Sequence, residues 1–111
     1  MSHHPEVTSI HALSAELLEQ ARAHHAGRAA RTIVSSTSQR VTIIALAEDM
    51  ELAEHDSPPA ATVQVLDGRV RLRTAERDLL LSSGELAPVP PERHAVQAIG
   101  EAAVLLTVAL R

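Results

Sequence analysis

Not one of the 111 residues is Phe, Tyr, Trp or Cys. Any core must therefore be assembled from Ala, Leu, Val and Ile, present in 19, 14, 10 and 5 copies. Without cysteine there can be no disulfide, thiolate metal site, iron–sulfur cluster or cysteine nucleophile. Without aromatic rings there are no base-stacking platforms and no cages for quaternary amines. A chain of this length buries roughly two-thirds of its unfolded surface, enough for one core but not for two. Ten basic against fourteen acidic residues leave a net charge of −4. That balance argues against nucleic acid and anionic membrane as partners, because both are bound through a basic field. Residues Met1-Ser2-His3-His4-Pro5 lack the charged and apolar regions of a signal peptide. The longest near-apolar run, 102–110, is far short of the ~20 residues of a membrane helix. A cytoplasmic location is the expectation, in keeping with the lack of cysteine.

The chain divides in two by pattern. In the first thirty residues, Leu13, Leu17, Leu18 and Ala21 fall at helical spacing and form one apolar stripe. Ser14 is placed to cap a helix over 15–26, with Gly27 as its stop. Arg22 and Gln20 are the only residues on it suited to reading base edges, so it is expected to pack on the main domain. From Arg31 onward, short β segments alternate with turns: 31–36, 40–48, 51–55, 62–65, 70–73, 78–81, 85–89, 95–99 and 102–110. Asp67-Gly68 lies between two alternating segments, which predicts a hairpin. Ser57-Pro58-Pro59, Ser82-Ser83-Gly84, Pro90-Pro91 and Ile99-Gly100 are read as breaks. Short strands at this spacing predict a mainly β antiparallel sandwich or barrel with a short N-terminal helix. Residues 1–30 are then an arm and helix, and residues 31–111 the β-barrel.

Residues 49–110 resemble a small single-domain cupin, a double-stranded β-helix of the jelly-roll type. In that family a first motif runs from a glycine to a His-x-His pair, a glutamate and a closing glycine; a second runs from a glycine through a proline to a histidine. Here His55 matches the first histidine and Gly68 the closing glycine, while Asp49 replaces the opening glycine, Ser57 the second histidine and Ala61 the glutamate. In the second motif Gly84, Pro90 and His94 match, Glu92 replaces a glycine, and the spacing to His94 is one residue short. The resemblance implies the cupin fold. For a metal it implies an incomplete set, His55 and His94, where the family holds zinc, iron, manganese, nickel or copper. Catalytic sites for such metals usually have three protein ligands.

Strand parity gives the same inner face. With His55 inward, Ser57, Val63 and Val65 share its side while Thr62 and Gln64 face out, and His94 shares a side with Val96 and Ala98. Ser57, Ala61, Val63, Val65 and Val96 are therefore the candidate ligand-binding residues. Two functions remain open. One is a non-enzymatic or regulatory module that binds a small molecule in the barrel. The other is a metal-dependent enzyme, a dioxygenase or isomerase, working with two histidines. Acid–base catalysis by the histidine pair lacks a partner such as tyrosine, and Ser57 beside His55 lacks an orienting acid and an oxyanion hole. His11 precedes the helix with nothing convergent around it, and His24-His25 with His3-His4 could form an adventitious nickel site rather than a biological one. Arg69, Arg71 and Arg73 form a stripe that Glu76 and Asp78 can neutralise. The uncharged run 102–110, taken as an exposed edge, predicts a homodimer.

If the barrel is a metal barrel that lacks two donors, restoring them restores affinity. The double variant Ser57→His, Ala61→Glu is expected to bind a divalent transition metal at least ~10-fold more tightly by calorimetric titration, since even outer-shell partners change affinity by 10–100-fold. No gain would place these positions away from the inner face.

Overall fold

The computed structural model describes residues 5–55 and 60–110, with 53–55 as backbone only. Among these residues, helix α1 (Ile10–Ala23) precedes strands β1 (Arg28–Ser35), β2 (Gln39–Leu46), β3 (Glu51–His55), β4 (Ala60–Arg73), β5 (Asp78–Ser82), β6 (Leu86–Pro88) and β7 (His94–Ala109). All pairings are antiparallel. The two long strands, β4 and β7, each serve two layers. In the first layer β1, β2, residues 102–109 of β7, residues 60–65 of β4 and β6 lie side by side. In the second, β3, residues 94–99 of β7, residues 69–73 of β4 and β5 do so. The result is a mainly β jelly-roll barrel with one short helix.

The apolar residues sort into two clusters by strand parity. Between the layers lie Leu46, Val63, Val65 and Val104 from the first and Val70, Leu72, Leu81, Val96 and Ala98 from the second. On the outer side of the first layer, Ile43, Ala45 and Ala103 meet Leu13, Leu17, Leu18 and Ala21 of α1. Neighbours such as Ile43 and Leu46, or Ala103 and Val104, thus serve opposite faces of one strand. The expected helical stripe is the buried one.

Several local expectations change. The helix begins at Ile10, with Ser9 at the N-cap position. Ser14 lies inside it, buried, and its hydroxyl donates to the Ile10 carbonyl at 2.8 Å. That bond satisfies the hydroxyl within the helix, where the sequence placed it as a cap. Asp67-Gly68 is not a hairpin. Both flanking segments belong to β4 and pair with β7, and the register slips between Val65 and Asp67 and between Gly68 and Arg69. Gly68 (φ 78°) forms a bulge that turns the strand from one layer to the other. Gly100 (φ 73°) does not end a strand either, but bends β7 at the same level. The run 102–110 is not an edge: residues 102–109 lie between β2 and β4. That ground for a homodimer therefore fails, and the edge strands of the first layer are β1 and β6.

The corner is tied to the helix. Arg22 on α1 makes a two-pronged pair with Glu101, one arm at 2.8 Å, and this bond holds the Glu101 carboxyl below its usual range. A carboxyl lowered in the folded state stabilises it above the ordinary carboxylate pKa, and that contribution fades as pH falls through the lowered value. Both side chains are substantially exposed, so the effect is small.

A Cβ built on Gly68 would lie 2.1 Å from the Glu101 carbonyl oxygen, whereas one on Gly84, also at positive φ, meets nothing within 4 Å. Gly68→Ala is expected to cost about 2–4 kcal/mol, strain plus a steric clash, and Gly84→Ala about 1 kcal/mol from strain alone. Urea denaturation followed by far-UV circular dichroism, which needs no aromatic residue, measures both. Equal losses would show that the close approach at Gly68 is not maintained.

Candidate functional site

The open end of the barrel is the end away from the corner at Gly68 and Gly100. β4 enters there at Ala60 and leaves at Arg73, and β7 begins there at His94 and returns to Ala109. Ala61 and Val63 are on one layer and His94 and Val96 on the other, so the topology brings the sequence-derived positions to the same end. Val63, Val65 and Val96 are buried in the inter-layer cluster. Ala61 is half-buried, pairs with Val108 and accepts a hydrogen bond from the Val89 amide at 2.9 Å. Ser57 and the side chain of His55 lie outside the described residues.

His94 is 3% exposed and, with Ser14, makes up the buried polar side chains of the described residues. It shares the inner face with Val96 and Ala98. Its Nδ1 lies 3.1 Å from the Glu92 carbonyl oxygen. A carbonyl only accepts, so Nδ1 carries a proton and donates in this contact. The backbone register sets His55 directly opposite His94, after a shift that follows Leu52. Without that shift Glu54 would stand there. The bulge is what aligns two histidine positions across one ladder, and sequence spacing alone could not reveal it.

One of the departures from the cupin motif has a structural explanation. Asp49 stands where the family has a glycine and adopts φ 59°, the conformation for which glycine is favoured. Asp and Asn tolerate it because a short polar side chain can bond locally. Here the Asp49 carboxylate accepts from the Gly100 amide at 3.0 Å, and the Asp49 amide donates to the Gly100 carbonyl at 2.8 Å. The turn is kept and pinned to the β7 bend. Gly84, which matches, is at φ 89°.

Position 61, where the resemblance places a carboxylate, carries a methyl group. Among the described residues no three His, Cys, Asp or Glu side chains gather in a way that would hold an ion. His55 and His94 supply two imidazoles at most, fewer than the three protein ligands usual in catalytic centres. No chemical step is derived through a metal.

The outer face of the second layer carries the arginine stripe. Arg71 pairs with Asp78 at 3.2 Å and Arg73 with Glu51 at 3.2 Å, so Asp78 neutralises the stripe as expected and Glu51 joins it from β3. No described helix is long and apolar enough to cross a membrane.

No protein-family model matches the chain, and no curated relative matches it significantly. Solved structures do match. A cupin-superfamily protein from Desulfitobacterium hafniense is 14% identical over 76% of this chain and 78% of that one, with a TM-score of 0.71. A conserved protein of unknown function from Streptococcus pyogenes is 22% identical over 100% of this chain and 96% of that one, at a TM-score of 0.72. An HTH_3-family transcriptional regulator from Vibrio cholerae is 19% identical over 74% of this chain but 50% of its own length, at 0.64. These likenesses show the fold, and the fold is that of the cupins.

Proposed function

We propose that this cupin-fold chain is a binding module for a small, mostly apolar molecule carrying one hydrogen-bonding group, held at the open end of the barrel without a resident metal. The observation that supports it is His94, a buried imidazole on an inner face otherwise built of Val, Leu and Ala. Ligand sites are typically apolar with a few placed polar groups, and His94, held by the contact of its Nδ1 with the Glu92 carbonyl, is a placed polar group of that kind. Ala61, Val63 and Val96 would supply the apolar wall, and His55 and Ser57 the rim. The likeness to half of a transcriptional regulator favours a sensing role over turnover.

Protein purified without a nickel column should contain well under one metal ion per chain by elemental analysis. Screening small molecules by scanning calorimetry should give ligands that raise Tm for the wild type. Their affinity should fall ~10-fold or more in His94→Gln, which removes the ring, and in His94→Ala, as expected for a lost hydrogen bond to a buried group. Stoichiometric metal that disappears in His94→Ala would replace this proposal with the two-histidine metal enzyme. Ligands whose binding ignores both variants would move the site elsewhere.

A further inference from the structure

Sulfur is scarce in this chain, which has two methionines and no cysteine. With no tyrosine or tryptophan either, the two thioethers are the side chains that a mild two-electron oxidant such as hydrogen peroxide attacks. Met1 lies outside the described residues, so Met50 is the one sulfur among them. It stands between β2 and β3 and is half-buried, so peroxide can reach it although it belongs to the packing.

The Met50 side chain packs on the inter-layer cluster and covers Gly27, the buried glycine between α1 and β1 at φ 68°. A Cβ built on Gly27 would lie 2.7 Å from the Met50 Cγ, 3.0 Å from Sδ and 3.1 Å from Cε, so the thioether has no spare room on that flank. The backbone around it joins three elements. The Met50 amide donates to the Ala47 carbonyl at 3.1 Å, and the Ala47 amide donates to the Gly27 carbonyl at 2.8 Å. The Met50 carbonyl accepts from the Ala98 amide at 2.9 Å. That bond is the first rung of the ladder that continues through Glu51 with Gln97 and Leu52 with Val96. β3 has five residues and pairs with β7 alone among the described strands, so one rung is a sizeable part of its attachment.

We infer that Met50 is a site of reversible oxidation by peroxides, and that its oxidation loosens β3 from β7. The thioether sulfur attacks one peroxide oxygen and the O–O bond breaks. The proton of the transferred oxygen goes to the departing hydroxide, which leaves as water. Sulfur gives up two electrons and becomes the sulfoxide, and the peroxide is reduced by the same two. The thioether is flexible and apolar, whereas the sulfoxide is polar and restored only by enzymatic reduction. Its new oxygen is a hydrogen-bond acceptor that is costly to bury unpaired. Gly27 fills one flank and the apolar cluster another, so the oxygen reaches water by swinging the side chain out of the gap. That movement pulls on the carbonyl held by Ala98. The bulge that sets His55 opposite His94 lies on the same ladder, so the oxidation state of Met50 governs how firmly those two positions are aligned.

The full chain treated with hydrogen peroxide should gain one oxygen at Met50, located by peptide mass spectrometry. Its rate should be within ~10-fold of that in the urea-unfolded chain, since susceptibility follows exposure. In the oxidised protein the Ala98 amide should exchange with deuterium at least ~10-fold faster, while the β2–β7 ladder keeps its protection. Methionine sulfoxide reductase should remove the oxygen and restore slow exchange. Met50→Leu, similar in volume and without sulfur, should exchange like the untreated wild type both before and after peroxide. Met50→Gln, with a polar group in the same gap, should loosen Ala98 without any oxidant. A native Met50 that resists peroxide until the chain unfolds overturns the inference. So does a Met50 sulfoxide that leaves Ala98 exchange unchanged, or a peroxide effect on Ala98 that persists in Met50→Leu. None of these outcomes depends on whether a small molecule occupies the barrel.

Discussion

Closure of the barrel depends on β4 and β7 bending together. They are neighbours in both layers, so a bend in one without the other would break their ladder. Gly68 and Gly100 supply the two bends, and the backbone of Gly68 presses against the Glu101 carbonyl with no room for a side chain. The adjoining contacts lock the same corner: Asp49 bonds to Gly100 and Arg22 holds Glu101 from the helix. Strand periodicity makes this corner decisive for the core as well. A slip of one residue would turn Val63 and Val65 out of the interior and Thr62 and Gln64 into it.

The lack of aromatic residues shapes what surrounds that corner. Small side chains such as Ala45, Ala98, Ala102 and Ala103 are fully or nearly fully buried, which lets layers and helix approach closely. Leucine and valine then fill the space between, in two clusters on either side of the first layer. Among the described residues, His94 is the one imidazole ring buried in this interior. A buried imidazole without a partner would be costly, and the Glu92 carbonyl two residues away provides one from the same strand approach.

Much of the fold was legible from period-two alternation, because each strand buries one face or both. The inner assignment of Val63, Val65, Val96 and Ala98 follows from that rule and agrees with the packing. Asp67-Gly68 misled because a hairpin and a bulge call on the same left-handed glycine, and only the pairing of both flanks with β7 separates them. The run 102–110 misled for a related reason. Its lack of charge marks a central strand that faces the barrel interior on one side and, at Ala103 and Leu105, α1 on the other, rather than an unguarded edge. Ser14 was legible as a helix-terminal residue but sits within the helix, since a serine hydroxyl can bond back four residues as readily as it can cap. Of the candidate site, the inward place of His94 was readable from parity. The bulge after Leu52 that sets His55 opposite it was not, because it rests on long-range register.

The two outer faces of the barrel treat charge in opposite ways. On the second layer, Arg71, Arg73 and Asp78 project into solvent and are matched pairwise, with Glu51 reaching across from β3. Exposed pairs of this kind add little stability, but they keep a sheet face wet and discourage stacking. On the first layer the uncovered rows consist of threonine, alanine, valine and glutamine. Hydroxyls and amides tolerate water or burial alike, whereas a guanidinium or carboxylate must be matched before it can be buried. The chain thus confines its charged sheet residues largely to one side of a barrel whose interior needs none. On the second layer the positions of His55 and His94 stand opposite each other across the β3–β7 ladder, while on the outer side of the first layer Arg31 is matched by Glu16 of the helix. Both arrangements follow from where the strands bend, since the same corner decides which residues face in and which face the helix.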